Sequence, residues 1–441
     1  LPKTQRIIRN KSKKDGFPLQ CPAPRQSDTG LVGYFPERTI CSVLPAFVLL
    51  FCCASAQATV VGKLIRPYVS YGMTADDNIL RIRDRTDAEA LLGTNNLFDI
   101  SHRLLGGAII SKQISRQQLQ FNGNWSHNRF EKFDQMNNNA MMLTGNWRWF
   151  LGNRLEGNMG ANFDKSLSPF LFQPGIKNIR TQHTEYFNLA WRYHPSWQIR
   201  GDYSHFNFET SNDLLRFQNR RENRFELDWD YLSSSSSSIG LQYRHIRGDF
   251  TSPIQTFDGL FTENSYIQNE LRGKIDWKLT AKSHAIFSGG WVERRNSSVS
   301  TSDFNGINMR LSYFWKPTGK IDITLSGWRE TVAIQSLTAN FSLNTGGSAS
   351  AAWRVTGKTK VTGDFSYNTQ KFDSFSGFLN QAGFGNINKI ITASLGLVYM
   401  PFHGTELSAT GYYNSLSTNS TLGDFDARGA TISLRYILGR Q

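Results

Sequence analysis

No run of 18 apolar residues occurs anywhere in the 441-residue chain, so no segment can cross a membrane as a helix. Hydrophobic residues make up only 39% of the sequence, which argues against a helical membrane bundle. Cysteine is missing beyond Cys53: all four (Cys21, Cys41, Cys52 and Cys53) lie within residues 1–58. Downstream there can be no disulfide framework, no thiolate metal site and no cysteine nucleophile. Blocks of Lys or Arg are lacking too. Of the net charge of +14, residues 1–58 hold five, and the remaining +9 is scattered singly along the chain. A nucleic-acid binder would gather its basic residues into a patch, so nucleic acid is not expected as a partner. Helical periodicity is scarce as well, and TDAEALLG at 86–93 is the one candidate.

The amino end reads as an address. CSVLPAFVLLFCCASAQA (41–58) has Arg38 before it, an apolar core of about a dozen residues, and Ala56-Gln57-Ala58 as a small-x-small cleavage pattern. Residues 38–58 are therefore expected to be a secretory signal peptide. A lipoprotein signal at Cys52 or Cys53 is the alternative, and the bulky Phe51 argues against it. Residues 1–37, basic and rich in Pro and Ser, read as a disordered, over-extended start. The expected domain is 59–441.

What fills that domain is alternation. In NWRWFLGNRLEGNMGANF (146–163), Trp147 and Trp149 alternate with Asn146 and Arg148. A tight turn at Gly152-Asn153 follows, and then Leu155, Met159, Ala161 and Phe163 alternate with Glu156, Asn158 and Asn162. Period two means a β-strand with one apolar face. Eighteen such segments (16–18 within boundary error) run from 65–72 to 428–438. Short connections such as 151–153, 194–196, 281–283 and 402–404 take turns with long polar ones such as 73–96, 164–183 and 370–386. That strict alternation predicts an all-β, antiparallel up-and-down transmembrane barrel, with turns on one side and loops on the other.

Strands entering the short turns carry an aromatic near their close: Trp149, Trp191, Trp229, Trp277, Trp315 and Trp353, then Tyr399 and Tyr436. A repeat near 40 residues could also mean a propeller, but a blade needs four short strands and each repeat holds two long ones. Aromatics at one depth of every second strand suit a membrane-interface girdle. In strand after strand one face is lipid-compatible (Phe225, Leu227, Trp229, Tyr231) and the other polar (Glu226, Asp228, Asp230). Side chains cannot fill the interior of a barrel near this size, so the polar face is expected to meet water and the apolar face lipid.

After the first strand the chain reads YGMTADDNILR (71–81). This string, the Trp-x-Trp at 147–149 and the aromatic-then-charge strand ends resemble the exosortase-associated outer-membrane proteins of exopolysaccharide loci (EpsL-type), related to β-barrel porins. The resemblance spans roughly 59–441. It implies export or assembly of a secreted polysaccharide across the outer membrane, with outer-membrane lipid, polysaccharide and periplasmic or inner-membrane export machinery as partners. Gly439-Arg440-Gln441 stand where the terminal Phe of many barrels is found, and Tyr436 could serve instead.

The candidate lumen residues are Arg148, Arg192, Arg200, Arg244, Arg272, Lys274, Arg310, Glu226, Asp228 and Asp276, all in the polar phase. Arginine offers fixed donors to carboxylate or hydroxyl groups. Such charges could form a transverse field that selects solutes, or simply pair across neighbouring strands and keep the wall wet. Asp76, Asp77 and Asn78 could hold a cation, but calcium takes six or more oxygens and the EF-hand spacing is absent, so a structural mark fits better. The segment 84–92 could fold inward as a constriction or lie outside as a loop helix. Ser126-His127 and Ser204-His205 set nucleophile and base side by side, on opposite faces of a strand, which is no catalytic arrangement. No enzyme activity, cofactor or metal is expected. Three functions stay open: exopolysaccharide export, general diffusion of small hydrophilic solutes, and a non-conducting structural barrel.

Overall fold

The computed structural model describes residues 64–83, 85–170, 175–252, 254–255, 261–262, 265–297, 303–333, 341–372, 387–419 and 424–438. The expected leader, all four cysteines and the final three residues lie outside them. Eighteen long strands form one antiparallel sheet. The first six are β1 (Ile65–Asp76), β2 (Asp99–Ile114), β3 (Gln117–Phe130), β4 (Asn138–Leu151), β5 (Leu155–Leu167) and β6 (Ile179–His194). Next come β7 (Trp197–Thr210), β8 (Arg220–Leu232), β9 (Ser238–Phe250), β10 (Ser265–Thr280), β11 (Ser283–Asn296) and β12 (Phe304–Thr318). The last are β13 (Ile321–Ala333), β14 (Phe341–Arg354), β15 (Thr359–Phe372), β16 (Ile387–Tyr399), β17 (Thr405–Thr418) and β18 (Phe425–Ile437).

Each strand pairs with its sequence neighbours, and β1 pairs with β18 from Tyr68↔Ile437 to Asp76↔Gly429. The barrel is therefore closed, and no strand edge is left with unpaired backbone groups. Long loops carry the helical turns of the described residues: Arg85–Leu92 between β1 and β2, the single turn Asp134–Met136 and the two-turn 3₁₀ stretch Asp213–Gln218. The expected helix at 86–93 is present, shifted by one residue. The two 3₁₀ stretches have no periodicity that would announce them.

Register fixes which face is which. Along β3 to β17 the even-numbered residues share one face, as the pairs Gln118↔Arg148, Glu226↔Arg244 and Thr392↔Asn414 illustrate. This face is concave, because its side chains reach past their neighbours: Arg272 of β10 meets Glu330 of β13 at 3.7 Å. The odd-numbered face is convex and holds the exposed apolar residues, among them Leu119, Phe121, Leu271, Leu395 and Leu397. Buried polar residues inside and exposed apolar residues outside invert the pattern of a water-soluble protein. The chain is a membrane-spanning barrel.

One device recurs on the inner face. Tyr68 leans across β2 to donate to Asn122 of β3 at 3.0 Å, and Tyr186 leans across β5 to donate to Asn146 of β4 at 3.0 Å. Trp328 crosses β14 to Asn368 of β15 at 3.1 Å, and Tyr412 crosses β18 to Asp76 of β1 at 2.5 Å. The strand crossed always offers a glycine beneath the ring: Gly107, Gly160, Gly346 and Gly429. A ring that lies flat on a glycine covers backbone without projecting into the bore.

Candidate functional site

The charged wall runs from β7 to β13. Glu226, Arg244 and Glu270 are direct partners on β8, β9 and β10, so register alone sets opposite charges side by side. Arg244 Nε lies 2.7 Å from Glu226 and its Nη1 3.4 Å from Glu270. Glu270 also faces Arg272 Nε at 3.3 Å, Arg272 reaches Glu330, and Arg310 closes the row on Glu330 at 2.6 Å. Beside this row, Asp228 is paired with Lys274 and lies 3.7 Å from Arg200. Asp230 extends the cluster to the same two cations, at 3.8 and 3.9 Å. Asp228, Glu270 and Arg272 are 1–3% exposed, so these charges are sunk into the wall. Removing one partner of such a pair leaves the other buried and uncompensated.

Seven of the ten expected lumen residues meet here: Arg200, Arg244, Arg272, Lys274, Arg310, Glu226 and Asp228. The other three face inward elsewhere. Arg148 lies 3.4 Å from Glu156 near a short turn, and Asp276 is 2.6 Å from His284 Nε2. Arg192 is exposed to the bore and has no ion pair among the described residues. Glu330 was missed by the sequence reading, although it lies two residues beyond the inward Trp328 on β13. The buried Arg294 was missed too; its guanidinium lies 3.4 Å above the Tyr266 ring.

Between β7 and β13 these charges of opposite sign pair side by side along one wall, which is the lateral pairing expected as the alternative to a transverse field. From β14 to β18 the inner face carries fewer charges (Arg354, Lys360, Asp364, Glu406 and Arg435), with Ser348, Thr362, Ser366, Thr392, Thr410 and Ser433 between them. Recesses open on the lumen, one of about 280 Å³ over the charge row itself and lined by Arg244, Glu270, Arg272, Arg294 and Glu330. Another of about 280 Å³ is lined by Arg200, Asp202, Arg224, Glu226, Asp228 and Lys274. One of about 430 Å³ is lined by Tyr68, Arg103, Asn122, Asp164, Glu406 and Arg435.

At the long-loop end the TADDNILR stretch forms a latch. Asp76 accepts from Asn78 N–H at 2.9 Å, from Arg81 Nη1 at 2.8 Å and from Tyr412. Asn78 accepts from Ile82 N–H at 3.0 Å and donates to the Asp426 carbonyl at 3.1 Å. Arg81 holds a left-handed φ of 59°, the kink that turns its side chain back to Asp76. Protein donors thus occupy the Asp76 carboxylate, and no group of three or more metal-ligating residues exists among the described residues. The kink drives Ile79, Leu80 and Ile82 into a buried cluster with Phe130, Phe133, Met136 and Phe170. The helix adds Ala88 to it. Phe130 faces inward, so the segment packs on the lumen rim against the β3–β4 and β5–β6 loops.

All six expected girdle residues face outward at the short-turn end. Trp191, Trp229, Trp277, Trp315 and Trp353 are 41–54% exposed, and Trp149 is half-buried against Phe187 at 6.2 Å between ring centres. Ser126 faces inward and His127 outward, as a strand requires.

A closed sheet with an apolar, girdled outside and a polar inside belongs to the class of outer-membrane, porin-like β-barrels. No protein-family model and no curated protein matches the chain, so the exopolysaccharide-locus resemblance gains nothing beyond its short motifs. Among solved structures the chain is similar to the outer membrane protein OpdK of Pseudomonas aeruginosa, with a TM-score of 0.45 and 8% identity over 85% of this chain and 99% of that one. It is also similar to OccAB3 of Acinetobacter baumannii (TM-score 0.42, 9% identity, 85% and 99% covered). OprD of P. aeruginosa gives a TM-score of 0.43 at 9% identity, with 85% and 94% covered. These likenesses concern the fold alone.

Proposed function

We propose that the protein is an outer-membrane channel for the diffusion of small hydrophilic solutes. The observation that supports this reading most is lateral charge pairing. The row Arg244–Glu270–Arg272–Glu330–Arg310 is charge-paired within the wall, which leaves the bore hydrated and free of a strong field of one sign. A channel so lined passes cations and anions with modest preference. Purified protein in a planar bilayer is expected to give steady, weakly ion-selective conductance. Absence of conductance from folded, inserted protein overturns the reading.

Exopolysaccharide export is the second reading. Besides the sequence resemblance, the wall of β14 to β18 favours it, because the serine, threonine and asparagine side chains between its few charges can exchange hydrogen bonds with sugar hydroxyls. Deletion of the gene separates the two. Loss of secreted polysaccharide supports export, and normal polysaccharide yield with reduced uptake of small solutes supports the diffusion channel.

A further inference from the structure

Three consecutive hairpins turn on the same six-residue pattern: WKLTAK (277–282), WKPTGK (315–320) and WRVTGK (353–358). The fold accounts for two of its positions. The tryptophan belongs to the outer girdle. The threonine shapes the turn, its Oγ1 accepting the N–H of the last lysine at 3.1, 3.3 and 3.1 Å. The two basic positions do neither. Lys316 and Arg354 face the bore, where they reach the inward Asp322 at 3.4 and 2.7 Å, and Lys278 holds the same place on β10. Lys282, Lys320 and Lys358 stand at the tips. Lys282 and Lys358 each donate to a carbonyl of the next turn, Pro317 at 3.2 Å and Pro401 at 3.0 Å, which leaves their charge unneutralised. Each hairpin thus sets one cation on the inner wall and one on the tip, and the pair recurs about 10 Å further round the rim, twice the strand spacing.

Lys360 on β15 extends the inner row. Residues 276–284, 314–322 and 352–360 together hold seven Lys and Arg against two acids, Asp276 and Asp322. Asp276 is engaged by His284. Lys278, Lys282, Lys320, Lys358 and Lys360 have no ion pair among the described residues, and the first four are exposed. The charge row deeper in the wall is balanced, and this arc is not. One step inward the wall changes character. Thr324 of β13 and Ser350 of β14 are direct partners, and Thr362 follows Lys360 on β15. Asp364, next on that face, ends the zone. Beside Thr324, Phe314 turns a ring that is 36% exposed to the bore, stacked on the His284 imidazole at 5.6 Å between ring centres. Ile286 joins it, 39% exposed. Exposed apolar side chains on the wet face of the sheet break its pattern and call for an occupant.

We infer that the short-turn mouth between β10 and β15 is a docking site for an acidic polysaccharide. Sugar carboxylates pair with the lysines and with Arg354, and sugar hydroxyls exchange hydrogen bonds with Thr324, Ser350 and Thr362. The C–H face of a sugar ring lies on Phe314. A lipid headgroup does not fit, because Lys316 and Arg354 point into the bore. An acidic protein fits less well, because the three tips offer only Ala281, Thr318-Gly319 and Thr356-Gly357 beside their lysines, with no large apolar side chain to form the core of an interface. Phe402, 76% exposed, belongs to the next hairpin. Short turns of such barrels face the periplasm, so the polymer meets the arc before it enters the bore. The inference rests on the export reading and adds the charge of the polymer and its side of entry.

The test uses the full chain in an uncharged detergent and a fluorescein-labelled linear decagalacturonate, with binding read by anisotropy. Wild type is expected to bind it, and K278Q/K282Q/K320Q/K358Q to bind about ten-fold more weakly, as four modest pairs lost together predict. Phe314→Leu is expected to weaken the saccharide and to leave the binding of a decaglutamate peptide unchanged. Maltodecaose, a neutral sugar of the same length, is expected not to displace the probe. Absence of binding overturns the inference, and so does unchanged binding in the charge variant. Decaglutamate that competes as well as unlabelled decagalacturonate also overturns it, since the site would then read bare charge or an acidic protein. Should the charge variant fail to fold, the two competitors decide with wild type alone. The export reading is judged separately by gene deletion: displacement by maltodecaose refutes an acidic polymer and leaves export of a neutral one standing.

Discussion

The phenol ring of Tyr186 lies directly over Gly160, where an added Cβ would come within 2.5 Å of its hydroxyl oxygen and 2.2 Å of the Gly145 carbonyl. Only a glycine lets the ring lie flat and reach Asn146 two strands away. Gly160→Val is expected to destabilise the barrel by about 1–3 kcal/mol, the usual range for overpacking, and to push the ring into the bore. Tyr186→Phe keeps the ring in place and loses one hydrogen bond, about 0.5–1.5 kcal/mol. Urea unfolding from detergent reads the first difference. Single-channel conductance, lower in G160V and unchanged in Y186F, reads the second.

The sequence and the fold meet most closely where one-dimensional spacing is enough. Period two and the alternation of short and long connections needed only residue order, and they yielded closure, strand number and the two faces. The girdle at the short turns was visible because a tryptophan stands next to six of them. The outward aromatics nearer the long loops, such as Tyr203 and Trp291, escaped because they lie mid-strand, at a distance from any turn that varies with strand tilt. Pairing of Arg272 with Glu330 could not be read either, since it joins strands three apart and depends on the curvature of the wall. The rim cluster of Leu80, Phe133 and Phe170 has no period at all, being assembled from three loops.

Glu270 is the joint of the charge row, shared by Arg244 and Arg272 and also contacted by Gln268 and Asn308. Glu270→Ala leaves Arg244 with Glu226 and the 3%-exposed Arg272 with Glu330 alone at 3.7 Å, and is expected to cost up to about 3 kcal/mol, less than breaking an isolated buried pair. The wall also gains net positive charge, so the reversal potential in a salt gradient is expected to move toward anion preference. Glu270→Gln retains the hydrogen bonds to neutral neighbours and should shift the potential in the same direction with a smaller loss of stability. An unmoved reversal potential in both variants would place the row away from the conducting path.

Asp76 ties the β1–β2 segment to the rim through Arg81, Asn78 and Tyr412. Tyr412→Phe removes one of these ties and Asp76→Ala removes all of them. Amide exchange at residues 78–82 and 85–92 is expected to rise modestly in the first variant and to approach loop-like rates in the second. Barrel strands such as β8 and β9 should keep wild-type protection, because the latch is a local element and the ladder does not depend on it. Loss of protection throughout the barrel in D76A would show instead that the segment nucleates closure.

Ser115 occupies a left-handed φ of 54° in the two-residue turn between β2 and β3, where Ile114 pairs with Gln117. A positive φ at the first central position suits glycine, and any residue with a Cβ is strained there by about 1–2 kcal/mol. Glycine brings its own loss, since the unfolded chain gains freedom worth about 0.5–1 kcal/mol. Ser115→Gly is therefore expected to stabilise the barrel by about 0.5 kcal/mol, a small gain with a definite sign. Ser115→Val, branched at the same strained position, should destabilise by more than that. Arg116 stacks on Phe150 and bonds Asn153 in the next turn, so the hairpin stays anchored in both variants and the comparison isolates one dihedral. Denaturant midpoints in the order glycine, serine, valine from high to low are the expected result, and a glycine midpoint below that of serine refutes the strain argument.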